Sequence, residues 1–359
     1  MDEIRRSWLH DGTLAELIER DGLRGVTSNP SIFEKAIAQS DEYDDQVEEL
    51  AKAGTDLETL YEALVVQDMQ GAADAFRTTY DASDGRFGFV SLEVDPNLAR
   101  NTDGTIEEAK RLWQKVDRPN VFIKVPGTAE GLAAIEELLA EGINVNVTLL
   151  FSLEGYREVA KAYLRGLERR AQAGHALKHI ASVASFFLSR IDVKVDPRLD
   201  EIAAEEGDRA ELAGRLRGQT AIANAKMAYH IYQEIFGSSR FEELAGAGAR
   251  TQRVLWASTS TKDPKYSDVK YVEALIGTDT INTMPMETLD AYRDHGNPAP
   301  RLEDDVPAAR DHLEHLETLG ISMKQVTDEL EDEGIEKFVK PFNSLMGTLR
   351  ETVGVSHGS

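Results

Sequence analysis

Asn120-Val-Phe-Ile-Lys-Val-Pro126 reads as a short buried strand, with Val121, Ile123 and Val125 alternating with Asn120, Phe122 and Lys124. A lysine near the end of such a run is unusual, because burying an ammonium without a partner is costly. Taken alone, it reads more readily as an edge-strand lysine that reaches solvent or blunts a sheet edge. The alternative is an amine held in a pocket, where desolvation favours the neutral, nucleophilic form. The surrounding chain decides between them.

Outward from this run, helix and strand patterns alternate. Strands are predicted at 23–29, 87–94, 120–125, 143–149, 179–187, 253–257 and 280–284, each separated from the next by helical sequence. This alternation implies parallel strands joined by right-handed crossovers. Seven or eight such units in about 300 residues fit a (β/α)₈ barrel better than an open doubly wound sheet. No Gly-x-Gly-x-x-Gly follows a strand, which weakens a dinucleotide-binding reading. From about 300 to 359 the sequence is helical without strand signals, so a C-terminal extension packed on a single barrel domain, 1–359, is expected.

Composition narrows the function classes. The 359 residues are 41% hydrophobic, enough for a sizeable core, and carry 40 basic against 64 acidic side chains, a net charge of −24. That balance argues against nucleic acid and anionic membranes as partners, but a local basic pocket for a small anion is compatible with it. The chain has no cysteine, which excludes thiol chemistry and disulfides. With no apolar run of spanning length and no basic-then-apolar leader pattern, the cytoplasm is the expected compartment. His175 with His179, and His312 with His315, have helical spacing without a zinc-enzyme glutamate, and read as surface histidines. The acidic run Asp328 to Glu336 reads as a solvated helix face.

Strand parity assembles a candidate site. On Ile143 to Leu149 one face is Val145, Val147 and Leu149, the other Asn144, Asn146 and Thr148. In a barrel the exterior packs against helices, so the polar face must point inward. The same rule sends Lys124, Ser91, Glu93, Thr27, Asn29 and Ser185 inward. Six late-strand positions thus converge: Lys124, Glu93, Asn29, Asn146, Thr148 and Ser185. One or two inward polar groups would read as a satisfied core layer. Six near the C-terminal strand ends, with a lysine beside a carboxylate, point to lysine-based catalysis. A neutral lysine can attack a ketone, and the protonated imine is an electron sink for carbon–carbon cleavage. Glu93 can move protons, with Thr148 holding a water, and the asparagines can bind hydroxyls. Arg190, just beyond Ser185, can clamp a phosphate, or equally pair with Asp192 at the surface.

Five motifs carry a family resemblance. They are Gly25-Val-Thr-Ser-Asn-Pro-Ser-Ile-Phe-Glu-Lys35, Val90-Ser-Leu-Glu-Val-Asp-Pro96, Val121-Phe-Ile-Lys-Val-Pro126, Asn144-Val-Asn-Val-Thr-Leu-Leu-Phe-Ser152 and Ala184-Ser-Phe-Phe-Leu-Ser-Arg190. In order, over nearly the whole chain, they resemble the transaldolases, in particular the longer bacterial form. The resemblance implies transfer of a dihydroxyacetone unit from a ketose phosphate to an aldose phosphate, without metal or cofactor, in the non-oxidative pentose phosphate pathway. It makes Lys124 the Schiff-base lysine, and Glu93 and Thr148 the holders of the catalytic water. It makes Asn29, Asn146, Ser185 and Arg190 substrate-binding residues, with Ser258 and Lys262 as further phosphate contacts. Phosphorylated sugars are the expected partners, and a homodimer is compatible.

The catalytic aspartate implied by the resemblance matches Asp2 in Asp2-Glu-Ile-Arg-Arg-Ser7, while Asp11 reads as a surface residue. The strand that should precede Asp2 is not in the sequence. A barrel short of that strand would expose two sheet edges, and low stability and weak activity are expected of it. An internal methionine start is the corresponding expectation. The small fructose 6-phosphate aldolases, the alternative enzyme, carry Gln and Tyr where this chain has Glu93 and Phe187. A poorly active barrel that acts only as a binding partner is a reading of a different class.

Overall fold

The strands are β1 Gly25–Thr27, β2 Phe89–Glu93, β3 Val121–Pro126, β4 Val145–Leu150, β5 Ser182–Phe187, β6 Arg253–Ala257 and β7 Thr280–Asn282. All pair in parallel, in the order β1-β2-β3-β4-β5-β6-β7. A computed structural model describes residues 1–38 and 40–356 of the chain, so the last three residues of the expected C-terminal extension lie outside the described part.

Strands β2 to β5 are buried along their whole length, as a barrel covered by helices requires. Outward residues such as Val121, Ile123, Val145 and Val147 belong to one apolar core with Leu112, Val116, Ile135 and Leu138 of the crossover helices. Side-chain hydrogen bonds to the backbone pin these units. Asn120, at the foot of β3, donates 2.8 Å hydrogen bonds to the Ala73 and Gly88 carbonyls. Thr128 caps the helix Ala129–Glu141 by accepting from Gly131 N–H, and donates to the Ala99 carbonyl. A Cβ at Gly131 would lie 2.0 Å from the Pro126 carbonyl oxygen, so only glycine fits this turn.

The sheet does not close by an eighth strand among the described residues. Instead Met1 and Asp2 lie between β1 and β7. Met1 N donates to the Gly25 carbonyl, Thr27 N–H to the Met1 carbonyl, and Asp2 N–H to the Met284 carbonyl. The Thr27 and Thr283 hydroxyls meet across the same seam at 2.9 Å. The C-terminal mouth is therefore drawn together, while a cavity of about 330 Å³, lined by Met1, Val26, Phe89, Phe122, Leu255 and Ile281 among others, lies within the seam. Beyond Asp2, Arg6 anchors the segment: its guanidinium binds the buried Asp68 at 2.7 Å and lies over the Tyr43 ring.

Two parts of the structure depart from strand and surface patterning. Leu149 sits at φ +61, where β4 slips register between Val147 and Leu150. The bulge takes its side chain out of simple alternation. The helix Met323–Ser356 then crosses the barrel, packing on helices Pro30–Ala38, Asp44–Lys52, Leu57–Ala75 and Ser189–Ala203 and on the end of β4. Its acidic run is a solvated face only in part: Asp328, Asp332 and Glu336 are exposed, while Glu329 and Glu333 turn toward the barrel. Glu329 pairs with Lys194 and Arg198, Glu333 with Lys194, and Asp332 with Arg100. His312 is also not a surface residue: it is buried against the Thr220 hydroxyl at 3.0 Å, and burial pushes its imidazole down to about 4. His175, His179 and His315 are exposed. Among the described residues, no helix is long and apolar enough to cross a membrane.

Candidate active site

The pairing register sets the centre of the site. Glu93 of β2 pairs with Lys124 of β3, and Lys124 with Asn146 of β4, so three inward side chains share one layer. One layer further toward the mouth, Pro126 pairs with Thr148. Lys124 is 4% exposed and Glu93 9%. The lysine Nζ donates to the Ser28 carbonyl at 3.0 Å and lies 3.3 Å from Glu93 Oε2. Burial pushes the Glu93 carboxyl up to about 7, against the pull of the Lys124 charge. A carboxyl poised there, in contact with an amine, can pass a proton in either direction near neutral pH.

Around this pair lies a cavity of about 260 Å³ at the C-terminal ends of the strands. Asp2, Asn29, Lys124, Thr148, Ser185 and Arg190 all line it, together with Ser258 and Lys262. Glu93 and Asn146 complete the predicted set from beneath the wall. Ser185 donates to Asn146 Oδ1 at 2.7 Å, and Asn146 Nδ2 donates to the Ser91 hydroxyl at 3.1 Å. Asn146 is thereby fixed in orientation. Asn29 is held by accepting from the Ile32 N–H. The Thr148 hydroxyl is buried without a hydrogen-bond partner among the described residues.

Asp2 reaches the cavity from the seam. Its carboxylate accepts from the Thr27 hydroxyl at 2.9 Å, while its own N–H is tied to β7 through Met284. The rival Asp11 is exposed, its carboxyl held below the ordinary value by the Thr13 N–H. Arg190 does not pair with Asp192. That carboxylate is taken by Lys270 at 2.9 Å and the Tyr271 hydroxyl at 2.8 Å. Arg190 is mostly buried and Nη1 has no hydrogen-bond partner among the described residues. Burial lowers its pKa, opposed by the Asp2 and Glu333 charges. Ser258, at φ +55, shares a hydrogen bond with Ser189, and Lys262 donates to Ser260.

Sequence reading missed three contributors: the Ser28 carbonyl that holds the lysine, the Thr27–Thr283 pair that holds Asp2, and Phe338. The Phe338 ring centroid stands 5.6 Å from Lys124 Nζ. In the sequence Phe338 is one apolar residue in a helical stripe, and nothing local signals that the stripe crosses the barrel mouth. Among the described residues, no group of three or more His, Cys, Asp or Glu is arranged to hold a metal ion.

Comparison with known proteins gives the family. The family model described as "Transaldolase/Fructose-6-phosphate aldolase" matches residues 1–349. A transaldolase of Thermobifida fusca is 52% identical over 347 residues, covering 96% of this chain and 93% of that protein. Transaldolase 2 of a Nostoc species is 48% identical over 98% of this chain and 94% of its own. A transaldolase of Mycolicibacterium smegmatis is 47% identical over 96% of this chain and 92% of its own. The chain belongs to the transaldolase/fructose-6-phosphate aldolase family, and is an enzyme of the transaldolase type.

Proposed function

We propose that Lys124 attacks the carbonyl of a ketose phosphate and forms a Schiff base, through which a dihydroxyacetone unit passes to an aldose phosphate. The observation that carries this reading is the buried amine at the cavity wall, 3.3 Å from a carboxyl raised to about 7. Addition of the amine gives a carbinolamine. Glu93 supplies the proton with which hydroxide leaves as water, and Thr148 holds that water. Asp2 takes the proton of the hydroxyl next to the bond that breaks. The bond's electrons flow into the iminium and leave an enamine on Lys124, while the aldose phosphate departs. The enamine carbon then attacks the acceptor aldehyde, Asp2 returns its proton to the new alkoxide, and water releases the ketose.

Asn29, Asn146 and Ser185 orient hydroxyls in this scheme. Arg190 takes the phosphate, with Ser258 and Lys262 beside it. The reading includes one domain across the chain, a cytoplasmic location, and a homodimer, which sedimentation would check. The deciding experiment is borohydride trapping with fructose 6-phosphate, followed by peptide mass analysis. The expected adduct lies on the peptide containing Lys124 and disappears in Lys124→Ala. Asp2→Asn is expected to keep the adduct while turnover with an aldose acceptor falls. An adduct on another lysine, or none, overturns the assignment.

A further inference from the structure

The mechanism above leaves unused the only aromatic ring that reaches the lysine from outside the barrel strands and their loops among the described residues. Phe338 is 5% exposed, lines the same cavity as Lys124 and Arg190, and places its ring centroid 5.6 Å from Lys124 Nζ. That lies within the range in which an aromatic face attracts a cation. We propose that Phe338 is a specificity-determining residue. It covers the nitrogen-bound intermediate on Lys124, and so favours transfer to a sugar acceptor over release by water. This inference rests on the Schiff-base reading of Lys124.

The helix that carries Phe338 is held against the barrel mouth by independent contacts. One turn earlier stands Gly334, where an added Cβ would lie 3.0 Å from Leu149 Cδ2 and 3.7 Å from Arg190 Nη1. A methyl there would press on the Leu149 side chain, so glycine lets the helix backbone come this close without displacing it. Its counterpart on the barrel is Leu149, a branched residue at φ +61. That conformation is an outlier for leucine, and persists when surrounding packing enforces it. On either side, Glu329 and Glu333 bind Lys194, and Asp332 binds Arg100. The ring therefore cannot leave the lysine by simple bending of a loose terminus.

The chemistry gives such a ring a definite effect. Hydrolysis first protonates the enamine carbon, giving an iminium. Water then adds its oxygen to the imine carbon, a proton leaves, and the carbon–nitrogen bond breaks. Dihydroxyacetone and the free amine result, with no change of oxidation state. Transfer needs the same enamine, but consumes an aldehyde instead of water. An apolar ring next to the nitrogen removes space for water on that side, while its face stabilises the iminium charge. The excluded water slows hydrolysis more than it slows attack on an acceptor arriving from the open side of the cavity, whereas the iminium charge forms on both routes.

The test measures partition: free dihydroxyacetone released per sugar transferred, from fructose 6-phosphate with a fixed concentration of erythrose 4-phosphate. The ratio does not depend on how much enzyme is folded, so a merely structural role would not move it. Phe338→Ala is expected to raise the ratio about tenfold or more. Phe338→Leu keeps only part of the apolar bulk that excludes water, and should give an intermediate value. Gly334→Ala crowds the Leu149 seat of the helix with the ring intact, and should raise the ratio in the same direction. If Phe338→Ala does not fold, the other two variants decide. An unchanged ratio in the folded variants, with borohydride still trapping an adduct on Lys124, overturns this inference alone. Absence of the adduct in the unaltered enzyme overturns the Schiff-base reading on which it rests.

Discussion

Glu93→Gln tests whether the carboxyl beside Lys124 is proton-linked to folding. Burial raises Glu93 from the ordinary glutamate value of 4.5 to about 7, and Lys124 opposes that rise. Between those two values the folded chain holds a proton that the unfolded chain has released. The contribution to stability is therefore fully present below 4.5, and is lost as the pH rises through about 7. At 1.36 kcal/mol per pKa unit the whole window amounts to about 3 kcal/mol.

Glutamine has nearly the same shape and no titration, so the variant lacks this slope. Urea unfolding at pH steps across the window should show the stability of the parent falling relative to Glu93→Gln by about 3 kcal/mol. Other carboxylates, including Glu108, which burial also raises to about 7, titrate in both proteins and cancel in the difference. Lys124→Met adds a check of sign. Without the ammonium, the Glu93 carboxyl should rise further, and the slope should extend to higher pH. A parent-minus-variant difference that stays within about 1 kcal/mol over the window would refute the argument that desolvation outweighs the lysine's pull.

Two further outcomes follow from the cavity wall. Arg190→Ala should lower kcat/KM for a phosphorylated donor about 10- to 100-fold, the range for a charged hydrogen bond, and leave turnover of unphosphorylated fructose nearly unchanged. Equal losses on both substrates would remove Arg190 from the phosphate role. Thr27→Val keeps the shape and strand preference of β1, but removes the hydroxyl shared by Asp2 and Thr283. It should cost about 1–2 kcal/mol of stability, preserve borohydride trapping on Lys124, and slow turnover. Unchanged turnover would mean that Asp2 does not depend on that contact.

The sequence was most legible where period-two alternation held. Asn144, Asn146 and Thr148 opposite Val145 and Val147 could sit only one way round in a helix-covered barrel, and that parity oriented Lys124 and Glu93. It failed where tertiary contact overrides alternation. Leu149 continues the apolar face on paper, yet the β4 bulge and the helix over it place that residue in the left-handed region. His312 has the same spacing to His315 as a surface pair has, but only the fold shows that Thr220 buries it. The acidic run near Glu329 looks solvated in one dimension, because Lys194 and Arg198 stand more than 100 residues away. Asp2 was found by its local motif, but its support was not. Hydrogen bonds to both β1 and β7 can be seen only when the two edges of the sheet are brought together.

The same distance between local and global properties governs substrate capture. With 40 basic and 64 acidic residues, the chain as a whole repels an anionic sugar phosphate. That field is screened beyond about 8 Å at physiological ionic strength. Inside the cavity the balance differs: Arg190 is mostly buried, Lys262 stands on the same wall, and the Lys124 amine lies beneath. The desolvated Arg190 guanidinium acts over short range there, where screening is weak, while Lys262 remains exposed. Under the proposed scheme, affinity for the phosphate comes from contact with Arg190 rather than from steering at a distance. The same scheme needs Asp2, whose charge Arg190 also feels, for the carbon–carbon step. Attachment of Asp2 to the Thr27 hydroxyl gives that carboxylate a partner other than the arginine, so one cavity can keep both an acid/base and a phosphate-binding cation.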